Sequence, residues 1–280
     1  MGRFPGPRTE PVAWRVISER QAEGYRQQEI SYHSDDGPAV PAFLLIPDGA
    51  ETVPAPAVLS LHGTDLVNGH RTTVGLGGLP GREYGQRLAG RGFVVLAPAY
   101  PTMGGHDPDF LGLGYRSGTM KAVRDNVCGI DLLLSLPQVA GPDVAAVGHS
   151  LGGHNALFTA CFDPRLTALA VSCSFDSFVD YNGGDITAWH QDRYMPHLTD
   201  GGAPPFDFDD VLELLADRAL FVNAPIGDTN FQWWSVDRLV EGVRPRRTAA
   251  LELVHPDCGH DFPYEIQDQA FAFLTDHLGR

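Results

Sequence analysis

One pentapeptide, Gly-His-Ser-Leu-Gly at residues 148–152, constrains the fold of this chain more than any other feature. It follows an apolar run at residues 144–147 and precedes a helix-like stretch that begins at Gly153. A Gly-x-Ser-x-Gly turn between a strand and a helix holds its serine in a strained backbone and pushes the hydroxyl above the sheet. The glycines are small because the strand and helix backbones nearly touch there. The segment therefore predicts a helix packed on a sheet, with Ser150 as a candidate nucleophile.

The length and composition of the chain indicate an ordinary globular protein. Its 280 residues suit one large α/β domain or two small ones, and its hydrophobic and charged fractions are 43% and 20%. The formal net charge is −15, and Lys121 is the single lysine. This balance argues against nucleic acid or an anionic membrane as a partner. No apolar run reaches the roughly 18 residues that a membrane span needs.

The beginning of the chain and its cysteines bear on localisation. Residues 1–8 lack the apolar core of a signal peptide, and Gly6 stands where a myristoylation signal has Ser or Thr. We therefore expect a cytoplasmic protein. The cysteines form no Cys-x-x-Cys pair, so we expect buried thiols. They are Cys128, Cys161, Cys173 and Cys258.

The chain divides into a short N-terminal extension, residues 1–27, and an α/β domain, residues 28–280. The extension is rich in Pro, Arg and Glu. We interpret it as a surface segment that is partly helical near residues 14–24.

After a hairpin, the pattern becomes that of a mostly parallel sheet. Strand-like runs at residues 28–33 and 40–47 flank an Asp-Asp-Gly turn and predict the hairpin. Beyond it, apolar runs alternate with helical stretches, as expected when helices cover both faces of a sheet. The apolar runs lie at residues 57–61, 93–97, 144–147, 169–173, 219–223 and 250–254, and the helical stretches at 83–91, 119–136, 152–161, 231–242 and 264–278.

Three long segments, residues 64–81, 101–118 and 176–217, are too long to be short connections. The third separates two strand-like runs and contains several aromatic residues, which argues against disorder. We interpret it as a small lid, and the alternative is an inert surface elaboration.

The chain carries the three residue types of a serine hydrolase in a suitable order. A serine hydroxyl needs a base to take its proton, and the base needs an acid to orient it. In a sheet of this kind the order is Ser, then Asp or Glu, then His. Asp228 and His260 each follow a predicted strand, at the edge where active sites of open α/β sheets gather. We predict Ser150 as nucleophile, Asp228 as acid and His260 as base, with Asp176 and Asp257 open as rival acids.

The backbone N–H groups of Leu151 and Thr64 are the predicted oxyanion donors. Leu151 follows the nucleophile, and Thr64 lies in the loop after the first central parallel strand. Gly63 allows that backbone to approach closely. We interpret His62 and His255 as structural histidines.

These residues together resemble the α/β-hydrolase superfamily, and within it the dienelactone hydrolase-like, acetyl esterase and prolyl-oligopeptidase-type branch. The resemblance covers roughly residues 28–278 and is carried by His62-Gly63, the pentapeptide, Asp228 and Cys258-Gly259-His260. It implies a twisted, mostly parallel eight-stranded sheet with helices on both faces, and the same nucleophile, acid and base. Dienelactone hydrolases have a cysteine where this chain has a serine, and we expect no propeller domain of the kind found in large oligopeptidases.

We expect neither a metal nor a cofactor. The run of residues 255–261 is dense in His, Asp and Cys, but it lacks the His-x-x-x-His or Cys-x-x-Cys spacing of zinc sites. No phosphate-binding Gly-x-x-x-x-Gly-Lys-Ser/Thr loop is present, and no helix directly follows the glycines at residues 75–81.

The sequence predicts a serine esterase that cleaves a carboxylic ester, lactone or thioester of a small apolar molecule through an acyl-enzyme. Acyl transfer or cyclisation on the same residues is one alternative, and a catalytically silent binding protein is another. A peptidase is not favoured, and a homodimer is left open. The expected pocket residues come from the lid and from the region around residues 101–118: Tyr100, His106, Tyr115, Trp189 and Tyr194.

Overall fold

Nine strands form one sheet in the structure, a computed structural model that describes residues 10–278. The strands are β1 (Trp14–Ala22), β2 (Tyr25–Tyr32), β3 (Val40–Pro47), β4 (Ala55–Leu61), β5 (Val94–Pro98), β6 (Val139–His149), β7 (Leu166–Ser172), β8 (Ala219–Asn223) and β9 (Leu251–Val254). Their order across the sheet is β1-β2-β3-β5-β4-β6-β7-β8-β9. The expectation of eight strands is wrong, and β1 is the additional strand.

Strand β1 forms an edge of the sheet where the sequence suggested a partly helical extension. It pairs antiparallel with β2, with Trp14 opposite Tyr32 and Ala22 opposite Tyr25. Nearly all its side chains are exposed, and its large apolar residues, Trp14, Val16 and Ile17, do not continue in a strict alternation along the strand. Pairing with β2 satisfies its backbone groups instead. The expectation of helix near residues 14–24 is therefore wrong.

The hairpin and the parallel part of the sheet agree with the sequence. Strands β2 and β3 pair antiparallel with Tyr32 opposite Val40, which confirms the predicted hairpin. Strand β3 also pairs antiparallel with β5, while β4 to β9 are mutually parallel. Every residue of β5 and β8 is buried, because helices cover both faces of the sheet.

Six α-helices in the described part of the chain cover the two faces of the sheet. They are α1 (Tyr84–Ala89), α2 (Gly118–Ser135), α3 (Leu151–Phe162), α4 (Phe208–Leu214), α5 (Trp233–Val243) and α6 (Tyr264–His277). Side chains of α2 to α5 join one hydrophobic core, and those of α1 and α6 join the other. Within residues 10–278, no helix has both the length and the hydrophobicity to cross a membrane.

The segment between β7 and β8, interpreted above as a lid, folds around aromatic side chains. It contains α4, which the sequence did not predict, and two 3₁₀ helices, Tyr181–Gly184 and Thr187–His190. Trp189 is 5% exposed, and its ring packs on Phe178 with 5.4 Å between centroids. The packing explains why this long segment is ordered, while its role as a lid stays a prediction.

The single lysine of the chain is buried where α2 meets the hairpin loop. The Lys121 ammonium contacts the Asp125 carboxylate, lies 3.1 Å from Asp35 Oδ2 and donates to Ser34 Oγ at 3.0 Å. The side chains of Lys121 and Asp125 are 0% and 1% exposed. Burial raises the pKa of Asp125 to about 6, although Lys121 opposes the rise. The Lys121–Asp125 pair lies within α2, and the contacts of Lys121 with Ser34 and Asp35 join this helix to the hairpin loop. Each charge of the buried pair depends on the other.

Replacing Lys121 by Ala should lower the free energy of unfolding by about 3–5 kcal/mol, because the variant buries the Asp125 carboxylate without its partner. Urea unfolding followed by circular dichroism measures this change. The loss should be larger near about pH 8 than near about pH 5, since protonation of Asp125 at the lower pH removes the buried charge.

Glu51→Ala is the control for this prediction. It removes an ion pair with Arg26 whose two side chains are 51% and 32% exposed, and exposed pairs contribute about 0–1 kcal/mol. If Lys121→Ala and Glu51→Ala lowered the free energy of unfolding equally, burial would add nothing to the contribution of Lys121 to stability.

Candidate active site

Ser150 lies on the sharp turn between β6 and α3 and has an unusual backbone conformation. Its φ and ψ are 55° and −124°, outside the regions that residues with side chains normally occupy. The Ser150 N–H donates to Ser172 O at 2.8 Å, and Ser150 O accepts the N–H of Gly153 at 3.0 Å. These bonds hold the strained serine above the end of the sheet, at the N-terminus of α3.

The turn requires glycine at positions 148 and 152. A Cβ on Gly152 would lie 1.9 Å from Leu61 O, and a Cβ on Gly148 would lie 2.2 Å from the carbonyl carbon of Gly152. Both distances are far below van der Waals contact, so a side chain at either position would force backbone apart. The close approach expected from the pentapeptide is therefore present.

His260 and Asp228 lie on the loops after β9 and β8 and are hydrogen-bonded to each other. His260 Nδ1 lies 3.0 Å from each carboxylate oxygen of Asp228. The Asp228 side chain is 1% exposed, and that of His260 is 23% exposed. Because Nδ1 faces the carboxylate, the opposite ring nitrogen, Nε2, points away from it. His260 and Ser150 line the same cleft.

Backbone groups also hold the Asp228 carboxylate. Its Oδ1 accepts the N–H of Asn230 at 2.8 Å and that of Phe231 at 3.2 Å. Burial alone would raise the pKa of Asp228, but the hydrogen bond and charge of His260, together with these N–H groups, lower it. Asp228 is therefore ionised near neutral pH and suited to stabilise a protonated imidazole.

The rival acids from the sequence have other surroundings. Asp176 is buried, and its Oδ2 accepts a backbone N–H at 3.0 Å. Burial raises the pKa of Asp176 to about 7. Asp257 is exposed, and no hydrogen bond joins either carboxylate to His260 within residues 10–278. His255 is bonded through Nδ1 to a backbone carbonyl at 2.7 Å, as suits a structural histidine.

His62 braces the loop that follows β4. Its Nε2 accepts the N–H of Tyr100 at 3.0 Å, so its Nδ1 carries the proton and donates to Gly63 O at 2.7 Å. Burial lowers the pKa of His62 to about 4, so the ring is neutral near pH 7. A neutral ring bonded at both nitrogens is structural, in agreement with the sequence-based interpretation.

Thr64 and Leu151 both line the cleft beside Ser150. Leu151 is the first residue of α3, where the N–H groups have no partner within the helix. No hydrogen bond from the backbone N–H of either residue is found in the described part of the chain. Both groups are therefore unbonded next to the serine. The Thr64 hydroxyl lies 3.0 Å from the Tyr194 hydroxyl, which links this loop to the lid segment.

The cleft has a volume of about 440 Å³ and lies between the carboxyl edge of the sheet and the lid segment. Tyr181, Trp189, Gln191 and Tyr194 line it from the lid segment. Polar groups are frequent along its walls, which makes the cleft less apolar than the aromatic composition suggested. Polar residues outside the lid segment include Thr64, Asp65, Thr72, Arg82, His154 and Asn230.

Two of the five predicted pocket residues, Trp189 and Tyr194, line the cleft, and the other three do not. Tyr100 is 3% exposed, and its hydroxyl is bonded within the core. The Tyr115 hydroxyl donates at 2.9 Å to a carboxylate of the buried ion-pair cluster, and His106 is 4% exposed. The expectation of Tyr100, His106 and Tyr115 in the pocket is corrected, because all three side chains are buried outside the cleft, where the two hydroxyls bond to Thr119 and Asp35.

Sequence reasoning missed two residues that hold the His260 loop and the cleft together. Arg82 donates to Asp261 Oδ1 at 2.7 Å and to His260 O at 3.3 Å. The ring of Phe231 lies 6.0 Å from the ring of His260. Phe231 could have been found from its position three residues after Asp228. Arg82 has no such signal, since its carboxylate partner is 179 residues away along the chain.

One group of side chains within residues 10–278 has donor atoms close enough to hold a metal ion: Cys173, Asp228 and His260. The dense run at residues 255–261 contributes only His260 to it. The donor set therefore arises from three separate loops and has no spacing pattern in the sequence.

A mostly parallel sheet with a serine on the turn after β6, and an acid and a histidine after β8 and β9, defines the α/β-hydrolase class of fold. The sequence profile of the prolyl oligopeptidase family matches residues 83–280. That range includes Ser150, Asp228 and His260. The chain belongs to the prolyl oligopeptidase family.

Known proteins resemble the chain in sequence and in structure. Dipeptidyl aminopeptidase BIII of Pseudoxanthomonas mexicana is 22% identical over 268 residues, which are 89% of this chain and 37% of that protein. A putative carboxymethylenebutenolidase of Saccharomyces cerevisiae is 36% identical over 106 residues, which are 34% of this chain and 38% of that protein. The solved glucuronoyl esterase from Solibacter usitatus has a TM-score of 0.77 at 17% identity, and the match covers 98% of this chain and 88% of that one.

The chain spans a little over a third of the length of these two curated relatives. At 17% identity, the likeness to the glucuronoyl esterase concerns the fold alone. The comparisons thus establish the family and the fold.

Replacing Gly152 by Ala should lower the free energy of unfolding by about 3 kcal/mol or more, because the added methyl group collides with the Leu61 carbonyl. Chemical unfolding measures the change. Gly242→Ala in α5 is the matched control, since a Cβ there meets nothing within 4 Å. The control should gain about 0.4–1 kcal/mol. A Gly152→Ala variant as stable as the parent would contradict the close approach of β4 and α3.

Proposed function

We propose that the chain is a serine hydrolase that cleaves a carboxylic ester or lactone of a small molecule through an acyl-enzyme on Ser150. The observation that carries the proposal is the paired hydrogen bond of His260 Nδ1 to both oxygens of Asp228, at 3.0 Å each, on the cleft that Ser150 also lines. A histidine oriented in this way is the base that a serine nucleophile needs.

The first half of the reaction forms the acyl-enzyme. His260 Nε2 accepts the Ser150 proton while Ser150 Oγ attacks the substrate carbonyl carbon. The ring becomes positively charged, and the ionised Asp228 stabilises that charge through Nδ1–H. His260 then gives the proton to the leaving alcohol oxygen as the carbon–oxygen bond breaks.

Two backbone N–H groups are proposed to stabilise the negative oxygen of the tetrahedral intermediate. They belong to Leu151 and Thr64, which line the cleft together with Ser150, and neither N–H donates another hydrogen bond within residues 10–278. Fixed donors of this kind favour the transition state over the substrate, because charge develops on the oxygen only during attack. The N-terminus of α3 adds a favourable dipole at the same place.

The second half of the reaction releases the acid. Water takes the place of the alcohol, His260 removes its proton, and the hydroxide attacks the acyl carbon. The proton returns to Ser150 Oγ when the acyl bond breaks. No metal or cofactor takes part in this sequence.

The proposed substrate is small and carries polar groups of its own. A cleft of about 440 Å³ suits a ligand of modest size. Asp65, Arg82 and Gln191 lie on its walls beside the aromatic Trp189, so polar and ring-like parts of a substrate both find partners. The carboxymethylenebutenolidase relative is named for a lactone, which supports ester-type chemistry here.

A peptide bond is the second candidate for cleavage. The family match and the dipeptidyl aminopeptidase relative, aligned over 89% of this chain, favour it. The same serine, histidine and N–H groups would serve, because amide and ester cleavage pass through similar tetrahedral intermediates. Matched ester and anilide substrates with one acyl group separate the two candidates.

Turnover of p-nitrophenyl esters from acetate to octanoate, and labelling by a fluorophosphonate, should both vanish in Ser150→Ala. In Asp228→Asn, kcat should fall by about 10⁴-fold, because the imidazole loses the partner that fixes its tautomer. Asp176→Asn is the matched control and should change kcat by less than about 10-fold, since Asp176 has no bond to His260.

Other outcomes decide between the alternatives. Labelling at Ser150 without turnover would favour acyl transfer or cyclisation over hydrolysis. If neither labelling nor turnover were detected, the hypothesis of an activated Ser150 would be rejected. A larger loss in Asp176→Asn than in Asp228→Asn would reverse the assignment of the acid.

A further inference from the structure

A cysteine thiol lies beside the Asp228–His260 pair and has no part in the proposed reaction. Cys173 directly follows the last residue of β7 and is 2% exposed. Its Sγ, a carboxylate oxygen of Asp228 and a ring nitrogen of His260 all lie within 4.8 Å of one another. Nδ1 is the ring nitrogen that faces Asp228. Thiolate, carboxylate and imidazole are the ligand types that zinc binds in proteins.

The backbone fixes the thiol in this position. Cys173 has a φ of 51°, in the left-handed region, and its N–H donates to Asn223 O at 2.9 Å. Its thiol donates to Asp261 O at 3.2 Å. Because Asp261 directly follows His260, the sulfur is tied to the loop that carries the histidine. A left-handed conformation at a residue with a side chain is maintained only where the surroundings enforce it.

We propose that Cys173, Asp228 and His260 form an inhibitory zinc site, so that zinc reversibly stops the proposed hydrolase. The effect on activity rests on the proposed function, whereas the metal site itself does not. Zinc ligands lie about 2.0–2.3 Å from the metal, which places tetrahedral ligand atoms roughly 3.5 Å apart. Donor atoms already within 4.8 Å need shifts on the order of 1 Å to reach that geometry. Water completes the fourth position.

Zinc on Nδ1 prevents His260 from acting as a base. Without metal, Nδ1 carries the ring proton and donates it to Asp228, which leaves the Nε2 lone pair for Ser150. When zinc takes the Nδ1 lone pair, the ring proton moves to Nε2, and the Cys173 thiol releases its proton to solvent. Ser150 then has no acceptor for its proton. One proton leaves per zinc bound, and nothing is oxidised or reduced.

The surroundings favour Cys173 over the other thiols as the zinc ligand. No second group of three metal-ligating side chains converges within residues 10–278. His260 is the ligand that zinc meets first, since its side chain is 23% exposed in the cleft and that of Asp228 only 1%. Cys258, two residues before His260, is the competing thiol that an experiment must exclude.

Metal binding is measured on the full chain, stripped with a chelator, by titration with Co²⁺ and with Zn²⁺. We expect one equivalent to bind, a thiolate-to-cobalt charge-transfer band that zinc removes, and release of one proton per zinc in calorimetry with different buffers. Cys173→Ala should remove the band and weaken zinc binding by at least about 100-fold. Cys161→Ala, the control, should change neither.

Inhibition is measured as the rate of fluorophosphonate labelling and of ester turnover, each relative to the zinc-free rate of the same variant. Saturating zinc should slow both rates by about 100-fold in the wild type, because a general base contributes a rate enhancement of about that size. A chelator should restore both rates. Cys173→Ala and Cys173→Ser should both lose most of this inhibition by zinc. Two variants are used so that a folding defect in one of them does not decide the result.

Three results would overturn the proposal. Zinc could bind Cys173→Ala as tightly as the wild type, binding could depend on Cys258 instead, or zinc could bind through Cys173 without slowing labelling. Failure of the proposed function has a different signature. Zinc-free wild type would then show neither labelling nor turnover, while the cobalt band would still test the metal site.

Discussion

The contact of three backbone segments, at the end of β4, the end of β6 and the start of α3, is the constraint on which the rest of the site depends. Gly152 lies against the Leu61 carbonyl with no space for even a methyl group. That contact accompanies the strained backbone of Ser150 and places Leu151, the first residue of α3, on the wall of the cleft. The loop at residues 62–64 leaves β4 at the same point, so the same backbone contact positions the nucleophile and the proposed oxyanion donors.

Much of the sheet could be predicted from the sequence because its strands are buried on both faces. A strand such as β5 or β8 is a short continuous apolar run, which is typical of a strand covered on both faces. Strand β1 gives no such signal, since its side chains face solvent and its stability comes from pairing with β2. The helix α4 was missed because it lies within a long segment between β7 and β8 that shows no clear periodicity.

The candidate site also has a part that could be predicted from the sequence and a part that could not. The order Ser150, Asp228, His260 follows from strand order, because each residue comes just after a strand and parallel strands end at one edge. Which side of a loop faces the cleft depends on partners distant in sequence. The hydroxyl of Tyr115 donates to a carboxylate 80 residues away, and no nearby sequence pattern predicts that contact. Cys173 carried only the general expectation of a buried thiol, and its position beside two other donors is a tertiary property.

The enclosed lysine has a consequence for how the protein can be modified. Amine-directed reagents, and enzymes that acylate or methylate lysine, find no lysine side chain on the folded surface, because Lys121 is the only one and is 0% exposed. Such chemistry reaches the ammonium only when α2 separates from the hairpin loop. The rate of acylation at Lys121 therefore measures how often that part of the molecule opens, without any engineered probe. The chain thus carries its own reporter of local unfolding.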